Sequence, residues 1–407
     1  MDNRAIIAGS FDPIHFGHID IIKRAAQAFN LMVVVANNPA KKYMFSLEER
    51  VKMVQHSLRP SVLGSGLTNV NGIPLKAPIV VVAALTDTNK LLADFAFEYG
   101  IKTIVRGVRN FADYDFEKMM RDINISQQNG IETYFLSGDP KLSHVSSTAV
   151  KELYAHAGFI HEYVPLWVKR ALEVKNGVEI IGVTGNIASG KNWYCEHLRA
   201  AGQDVFHLDV DKLAHFILFQ SVNTPAHQAV RVNIRKTFLM DSSIGIECDS
   251  DPLTELERNE LGNKVFADVE RRLKLNAIMY QPLMTAIRRA VVGKKGIVLV
   301  NTALLAEFGM THICNNNVVL VTTDNTTRLE RLKARGLNPT QIKHRLESQY
   351  NDDRKQYHIA CQSDKDHYGK ILLVHNDVNY GYAAEQALSD FKDFFGIKQV
   401  RIPCNNS

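Results

Sequence analysis

The sequence has few cysteines and no pattern that would use them together. Its five cysteines, an odd number in 407 residues, include no Cys-x-x-Cys pair. This spacing excludes a disulfide framework and indicates no zinc site, so we expect reduced thiols. The five are Cys195, Cys248, Cys314, Cys361 and Cys404.

Long hydrophobic runs are also absent. The longest apolar stretches, such as residues 78–85 and 297–300, fall short of the roughly 20 residues that a bilayer crossing needs. The opening Met1-Asp2-Asn3-Arg4 leads into a strand-like run and lacks the apolar region and cleavage site of a signal peptide. We therefore expect a cytoplasmic protein without a membrane partner.

No dense basic tract accompanies the positive charge. The net charge is +5, yet lysines and arginines are not clustered and interleaved with aromatics as in nucleic-acid-binding segments. Nucleic acid is therefore not an expected partner, and small anionic substrates are compatible with the charge. With 45% hydrophobic and 22% charged residues the composition is that of globular proteins, and 407 residues suggest two or three domains.

The first part of the chain alternates strand and helix patterns. A strand at residues 4–8 precedes a helix that starts at Gly17, with apolar residues at helical spacing up to Phe29, and that we expect to end at Asn30. A strand at 31–36 follows, and Ser46 to Glu49 has the spacing of a capping box. Further strands are predicted at 79–84 and 103–105, with a helix at 91–99 between them. This order is typical of a parallel sheet flanked by helices.

A second alternation of the same kind begins after residue 177. An apolar strand at 178–183 enters a glycine-containing loop, followed by a helix that ends near residue 202 and a strand at 204–208. The sequence therefore predicts two α/β domains, residues 1–175 and 176–400. Residues 60–78, rich in Gly, Ser, Asn and Pro, are predicted to be a surface loop or insertion.

A candidate phosphate site lies at the first strand-helix junction. Gly9 permits close approach of the backbone, Gly17 lets the chain pack tightly, and the helix start offers free N–H groups to a phosphate. His15 and His18 are presented at the same end. Taken alone, the two histidines are equally compatible with a capping role.

The surrounding segments add a family resemblance. Residues 9–18 resemble the signature of nucleotidyltransferases with a His-x-Gly-His motif, and later segments are similar to bacterial phosphopantetheine adenylyltransferase. Those segments are residues 37–42, 45–50, 105–117 and 145–152. The resemblance covers roughly residues 3–170 and implies a Rossmann-like nucleotidyltransferase domain that transfers the adenylyl group of ATP to 4′-phosphopantetheine, giving dephospho-coenzyme A and pyrophosphate.

The resemblance also implies residue roles. His18 would stabilise the transition state, helped by Lys42 and Arg109. The implied 4′-phosphopantetheine residues are Ser10, Lys42, Leu92, Arg106 and Glu152. The implied ATP residues are Ser10, Phe11, His18, Gly107, Val108, Arg109, Glu117, Leu142, Ser143, His144, Val145, Ser146, Ser147 and Thr148.

The second domain contains a phosphate-binding loop. Gly185-x-x-x-x-Gly190-Lys191 has the spacing that cradles phosphates, although Asn192 stands where Ser or Thr ordinarily binds magnesium. This loop and several later segments resemble dephospho-coenzyme A kinase. They are residues 181–185, 187–191, 208–215, 275–278, 304–307 and 331–335, with Gln349 and Lys355 in the region that follows.

This second resemblance implies a P-loop kinase domain that uses ATP, Mg²⁺ and dephospho-coenzyme A. Asp209 would be the catalytic base or a magnesium partner, and Asn192 the other candidate metal ligand. The implied ATP residues are Gly185, Ala188, Ser189, Gly190, Lys191, Asn192, Trp193, Arg331 and Arg335.

Several departures from the kinase pattern leave alternatives open. They are Asn186, Asn192, Gln281 and the segment Asn301-Thr302-Ala303. One hypothesis is a bifunctional enzyme for the last two steps of coenzyme A synthesis. A second is an active adenylyltransferase with a degenerate, nucleotide-binding or regulatory kinase-like domain. A third, weaker one is a nicotinamide-nucleotide adenylyltransferase joined to a ribosylnicotinamide kinase. The first resemblance also implies a possible homo-oligomer.

Overall fold

The structure is a computed structural model in which the chain forms two compact units, Met1–Lys169 and Arg170–Ser407. It describes residues 3–38, 40–59, 80–87, 90–128, 130–220, 224–240, 250–266, 268–377 and 383–397. The whole predicted insertion at 60–78 therefore lies outside the described residues. No helix within these ranges is long and apolar enough to cross a membrane.

The first unit is a parallel sheet of five strands flanked by helices. Its strands are β1 Arg4–Gly9, β2 Asn30–Ala36, β3 Val80–Leu85, β4 Thr103–Val108 and β5 Glu132–Ser137. Its helices are α1 Phe16–Ala28, α2 Leu47–Ser57, α3 Leu92–Glu98, α4 Phe111–Ser126, α5 Ser147–Ala155 and α6 Leu166–Lys175, the last of which runs into the second unit. The strand order is β3-β2-β1-β4-β5, so β1 lies at the centre.

Two element ends differ by more than one residue from the sequence-based boundaries, for physical reasons. Helix α1 ends at Ala28, and Asn30 already belongs to β2, where its N–H donates to the carbonyl of Asn3 at 2.8 Å. Strand β4 continues to Val108 because its polar and glycine residues pair with β5, for example Arg106 with Phe135. Neighbouring-strand pairing thus extends a strand beyond its apolar run.

The second unit repeats the architecture with different connections. Its strands are β6 Val178–Thr184, β7 Val205–Asp209, β8 Gly296–Asn301, β9 Asn317–Thr322 and β10 Lys370–His375. Its helices are α7 Lys191–Ala201, α8 Val210–Phe219, α9 Pro225–Ile234, α10 Glu255–Phe266, α11 Val269–Val291, α12 Asn325–Ala334, α13 Pro339–Glu347, α14 Asp352–Lys365 and α15 Ala384–Phe395. The order β10-β9-β6-β8-β7 is parallel throughout and places β6 at the centre.

Each sheet has its hydrophobic core against the central strand. Ile6 and Ile104 are fully buried in the first unit, and Ile181 and Leu299 in the second. Every residue of β6 is buried, which is typical of a parallel strand covered on both faces. In both sheets the strand order runs outward in both directions from the central strand, β1 or β6. Parallel sheets of this kind bind ligands where the strand order reverses, in the crevice beyond the carboxyl ends of the strands. The predicted fold class is confirmed.

Candidate active sites

In the first unit the turn after β1 is shaped around Phe11. The backbone of Phe11 has φ 49°, in the left-handed region, and its buried ring lies edge-on to His18 with 5.0 Å between ring centroids. A Cβ on Gly9 would approach this ring to 2.9 Å. Glycine at position 9 therefore lets Phe11 pack beneath the site, against the imidazole at the helix start.

Two histidines form the start of α1. His15 is the N-cap, and its Nδ1 accepts from the backbone N–H of His18 at 3.3 Å. In return Nδ1 of His18 accepts from the N–H of His15 at 3.4 Å, and the rings stack with centroids 3.6 Å apart. Because each Nδ1 is an acceptor, the proton of each neutral ring is assigned to Nε2. His15 and His18 therefore cap α1 through their Nδ1 atoms and keep Nε2–H available as a donor.

Burial keeps both imidazoles neutral. It lowers the pKa of His18 to about 3, assisted by the positive charge of Arg109. The pKa of His15 is lowered even further, by burial and then by the charges of His18 and Arg109. At neutral pH His18 therefore acts as a neutral hydrogen-bond donor through Nε2–H.

A cavity of about 340 Å³ joins this helix start to β4, α4 and α5. The predicted residues that line it are Phe11, His18, Arg106, Gly107, Arg109, Glu117, Leu142, Ser146, Ser147 and Thr148. Lining residues that the sequence analysis did not assign include Lys41, Asp113 and Asp139. Asp113 lies within segment 105–117, which resembles the adenylyltransferase family, so the sequence offered a signal from which Asp113 could have been assigned to the site.

The other predicted residues of the first domain are not among those that line this cavity. Ser10 follows Gly9, Lys42 is exposed before α2, Leu92 begins α3, and Val108 ends β4. Ser143 ends a short 3-10 turn, where its hydroxyl donates to the carbonyl of Pro140 at 2.8 Å. His144, Val145 and Glu152 line a separate cavity of about 410 Å³ beside α5.

The two arginines of the cavity are oriented by acidic partners. Arg109 donates to the carboxylate of Asp113 at 2.8 Å and to the carbonyl of Val145 at 3.0 Å. Arg106 lies 3.3 Å from the carboxylate of Glu117 and donates to the carbonyl of Ala8 at 3.3 Å. These contacts hold the guanidinium groups in place before an anion binds, which lowers the ordering cost of binding.

A helix start opposite the histidines completes the cavity. Ser146 caps α5 by accepting from the N–H of Ala149 at 3.0 Å, and the Ser147 hydroxyl donates to the carbonyl of Pro13 at 2.8 Å. The N-terminal ends of α1 and α5 therefore meet at one cavity. Helix N-termini carry partial positive charge and unpaired N–H groups, so this cavity suits a polyanion.

Buried polar groups hold the loop that contains Lys41 and Lys42. Asp12 accepts from the N–H of Phe45 at 2.9 Å and from that of Met44 at 3.0 Å, and it pairs with Lys151 at 3.0 Å. Asp12 is only 4% exposed. Its carboxylate therefore ties the loop to the strand-helix turn and to α5.

Arg50 of α2 reinforces the same loop. It is 1% exposed and donates to the carbonyls of Ser10 at 2.6 Å and Ala36 at 3.1 Å. It also bonds the side-chain oxygen of Asn37, and its guanidinium lies over the ring of Tyr43 at 4.2 Å. A buried cation is stable here because backbone and side-chain oxygens satisfy it.

In the second unit the loop after β6 has the backbone of a phosphate cradle. Gly185, Ala188 and Gly190 have φ of 148°, 62° and 95°. A Cβ on Gly185 would collide with the carbonyl of Val321, and one on Gly190 with the side chain of Asn376. Both glycines are therefore required by conformation and by space. Alternating backbone conformations of this kind turn successive N–H groups inward.

Lys191 is buried at the start of α7. Its Nζ donates to the carbonyls of Gly185 at 3.0 Å and Asn186 at 2.9 Å. Burial lowers its pKa to about 8, although the charge of Asp211 opposes this shift. The Lys191 ammonium group therefore bonds the backbone of the same loop that would bind a phosphate. Trp193, two residues after Lys191, is 44% exposed and stacks on His197.

Residues from later elements brace the loop. Arg331 donates to the carbonyl of Ala188 at 3.2 Å, and Asn376 to that of Ser189 at 3.0 Å. Arg335 is the C-cap that follows α12, and it is exposed. Asn376 was not identified from the sequence, because it is 187 positions away from its loop partner.

The segment around Gln349 also reaches the loop. Gln349 accepts from the N–H of Ile187 at 2.9 Å, and Asn186 donates to Asp352 at 2.8 Å. The departure at Asn186 therefore makes a specific contact. Lys355 is fully buried, where it donates to the carbonyl of Ala303 at 2.6 Å and pairs with Glu307.

The candidate metal ligands lie beside each other. Asn192 donates through Nδ2 to Asp209 at 3.2 Å, and its Oδ1 accepts from Asn301 at 2.7 Å. Oδ1 of Asp209 accepts from the N–H of Lys212 at 3.1 Å, which caps α8. No cluster of three or more His, Cys, Asp or Glu side chains suited to a metal ion occurs among the described residues.

The two halves match two different families. Residues 6–171 match the cytidylyltransferase-like family, and residues 179–362 match the dephospho-CoA kinase family. The phosphopantetheine adenylyltransferase of Mannheimia succiniciproducens is 37% identical over 177 residues, 43% of this chain and 99% of that protein. The corresponding protein of Kocuria rhizophila is 41% identical over 171 residues, 42% of this chain and 97% of that protein.

A solved structure of a dephospho-CoA kinase from Campylobacter jejuni is also similar. It is 20% identical, with a TM-score of 0.32, and the match covers 54% of this chain and 98% of that one.

The folds and sites define an ATP-using transferase with a nucleotidyltransferase domain followed by a P-loop kinase domain. The chain belongs, through its first domain, to the phosphopantetheine adenylyltransferase family, and its second domain is a dephospho-CoA kinase domain. Both domains correspond to steps of coenzyme A biosynthesis, as the sequence analysis predicted.

Proposed function

We propose that this chain converts 4′-phosphopantetheine to coenzyme A in two ATP-dependent steps, with dephospho-coenzyme A as the intermediate. The observation that supports the first step best is a single cavity that unites a neutral His18, two oriented arginines and two helix starts. The braced phosphate loop around Lys191 supports the second step.

In the first step a phosphate oxygen of 4′-phosphopantetheine attacks the α-phosphorus of ATP. A new P–O bond forms, the bond between the α-phosphorus and the bridging oxygen breaks, and pyrophosphate leaves. Negative charge grows on the α-phosphate oxygens, and Nε2–H of His18 and the Arg109 guanidinium would stabilise it. Arg106, with Lys42 and the cavity-lining Lys41, would hold the acceptor phosphate.

The remaining first-domain residues position the two polyanions. Gly107, Glu117 and the Ser146–Thr148 helix start line the cavity where ATP would lie. Such positioning accounts for a large share of catalysis in reactions without a covalent intermediate.

In the second step the 3′-hydroxyl oxygen of dephospho-coenzyme A attacks the γ-phosphorus of a second ATP. The P–O bond to the β-phosphate breaks, ADP leaves, and the hydroxyl proton passes to the carboxylate of Asp209. Lys191 and the N–H groups of the loop would hold the phosphates, with Arg331 and Arg335 above them.

The donor set beside Lys191 suits magnesium. Asp209 offers a carboxylate and Asn192 an amide oxygen with a second lone pair, and both are hard oxygen ligands. These two residues would hold the ion, which supplies neutralisation of phosphate charge when bound.

We also propose a reducing cytoplasmic setting and self-association of the first domain. Among the described residues, Cys195, Cys314 and Cys361 form no disulfide, as expected of a reducing compartment. Helix α4 exposes Phe111 by 88% and Phe116 by 57%, an apolar surface that a second copy could cover. Sizing of the purified chain tests the second point.

Matched variants test the two activities separately. His18→Ala should lose conversion of 4′-phosphopantetheine to dephospho-coenzyme A but keep phosphorylation of added dephospho-coenzyme A. Lys191→Ala should show the opposite pattern. Wild type that makes dephospho-coenzyme A but never phosphorylates it would instead support the degenerate-kinase alternative. Preference for nicotinamide mononucleotide as adenylyl acceptor would support the pyridine-nucleotide alternative.

A further inference from the structure

Five side chains form a continuous hydrogen-bonded row at the carboxyl edge of the second sheet. His207 Nδ1 lies 2.8 Å from Glu196, and His207 Nε2 lies 2.9 Å from Nδ2 of Asn301. The same Nδ2 donates to Asn192 at 2.7 Å, and Asn192 donates to Asp209 at 3.2 Å. We name Glu196, His207, Asn301, Asn192 and Asp209 the polar row.

Sheet register brings the members of the polar row together. Asp209 pairs with Asn301 across β7 and β8, and His207 lies two residues before Asp209 on the same face of its strand. Asn192 and Glu196 are four residues apart on α7, so they lie on one face of that helix. Only 5% of the His207 side chain is exposed.

The carboxylate of Glu196 sets the direction of every bond in the row. A carboxylate only accepts, so Nδ1 of His207 carries a proton towards Glu196. Nε2 of His207 faces Nδ2 of Asn301, which only donates, so Nε2 is the acceptor of that contact. Asn301 must therefore turn its NH₂ group, rather than its oxygen, towards His207 and Asn192. Asn192 then faces Asn301 with Oδ1 and faces Asp209 with Nδ2. The Glu196 carboxylate at one end of the row therefore helps to orient the Asn192 amide so that its NH₂ group donates to the Asp209 carboxylate at the other end.

We propose that His207 and Asn301 are positioning residues of the kinase site, which hold Asn192 so that its amide NH₂ orients the Asp209 carboxylate. This inference rests on the proposed function, since it gives the row a role in phosphoryl transfer. It also makes the departures at Asn192 and Asn301 a coupled pair. Because the side-chain amides of Asn192 and Asn301 orient each other, the two departures from the kinase pattern are not two independent losses of a functional residue.

An isosteric substitution separates orientation from shape. Asn301→Asp replaces the shared NH₂ with an oxygen that faces two acceptors, Oδ1 of Asn192 and Nε2 of His207. We expect kcat for dephospho-coenzyme A phosphorylation to fall about 10- to 100-fold, as for loss of partners that orient a site, with little change in KM for ATP. Asn263→Asp, on the exposed face of α10, is the matched control.

A second substitution supplies the rescue. In the double variant Asn192→Thr with Asn301→Asp, the threonine hydroxyl can donate to the new carboxylate. We expect the kcat of the double variant, relative to wild type, to be about tenfold higher than the product of the relative kcat values of the two single variants. A coupling of this size is within the range for residues in contact. Additive losses would overturn the coupled-pair inference.

The row also has a readout that does not depend on turnover or magnesium. Nitrogen NMR of the His207 ring should show the Nδ1–H tautomer in wild type and a changed ring signal in Asn301→Asp. An Nε2–H tautomer in wild type, or an Asn301→Asp variant as active as Asn263→Asp, would overturn the inference. If the wild type is inactive as a kinase, the proposed function is contradicted. The His207 tautomer would even then show whether the hydrogen bonds of the polar row run in the inferred donor-to-acceptor direction.

Discussion

Asp12→Asn tests whether a buried carboxylate holds the acceptor-binding loop. The wild-type carboxylate accepts from two backbone N–H groups, of Met44 and Phe45, and pairs with Lys151. Asparagine keeps the shape but turns an NH₂ group towards at least one of these donors. It also removes the charge that strengthens the other contacts.

The expected magnitude follows from those contacts. A hydrogen bond to a charged group contributes about 1.5–3 kcal/mol, and a neutral one about half as much. At the low end of these values, losing one bond and weakening two destabilises the docked loop by about 3 kcal/mol, which is roughly 150-fold in its docking equilibrium. Because Lys41 and Lys42 lie in this loop, we expect the KM for 4′-phosphopantetheine to rise by 10-fold or more, up to that factor of roughly 150.

The assay has an internal control in the same chain. Pyrophosphate release with varied 4′-phosphopantetheine measures the first step, and coenzyme A formation from added dephospho-coenzyme A measures the second, which should not change. Asp115→Asn, at an exposed position of α4, is the matched variant. A KM for Asp12→Asn within twofold of wild type would refute the tethering role of Asp12.

Three further predictions concern the first domain. His18→Ala should lower adenylyl transfer by about 100-fold or more, because it removes a transition-state donor; near-normal pyrophosphate release would exclude that role. The stability around α1 should be complete above about pH 6.5 and decrease as pH falls towards 3, because both buried histidines have lowered pKa values and the unfolded state takes up protons first. Hydrogen exchange of α1 amides measures this, and a flat profile would contradict it. Gly107→Ala should raise the KM for ATP, because its Cβ would lie 2.8 Å from Ile21 and overpacking costs about 1–3 kcal/mol; an unchanged KM would mean that Ile21 yields without altering the cavity.

Local patterns in the sequence were sufficient to predict the two sheets. Continuous apolar strands, helical spacing and glycine turns are short-range signals, and the capping box at Ser46 forms as its spacing predicted. Boundaries were harder, because the end of β4 depends on pairing with β5 rather than on its own residues.

The site contacts show the limit of such patterns. Asn192 and Asn301 are 109 positions apart, and Asp12 lies 33 positions from its partner Phe45. Such side-chain pairs leave no periodic trace in one sequence, so Asn192 and Asn301 were seen only as separate departures from a motif. Lys41 lines the first cavity although Lys42 was the predicted residue, because the fold of the loop decides which neighbour turns inward.

The central proposal is that one chain performs both steps. The most direct measurement incubates the purified wild-type chain with 4′-phosphopantetheine, ATP and magnesium, and follows the products by mass spectrometry. We expect coenzyme A to accumulate, with one pyrophosphate and one ADP formed for each molecule. Accumulation of dephospho-coenzyme A without coenzyme A or ADP would contradict the account.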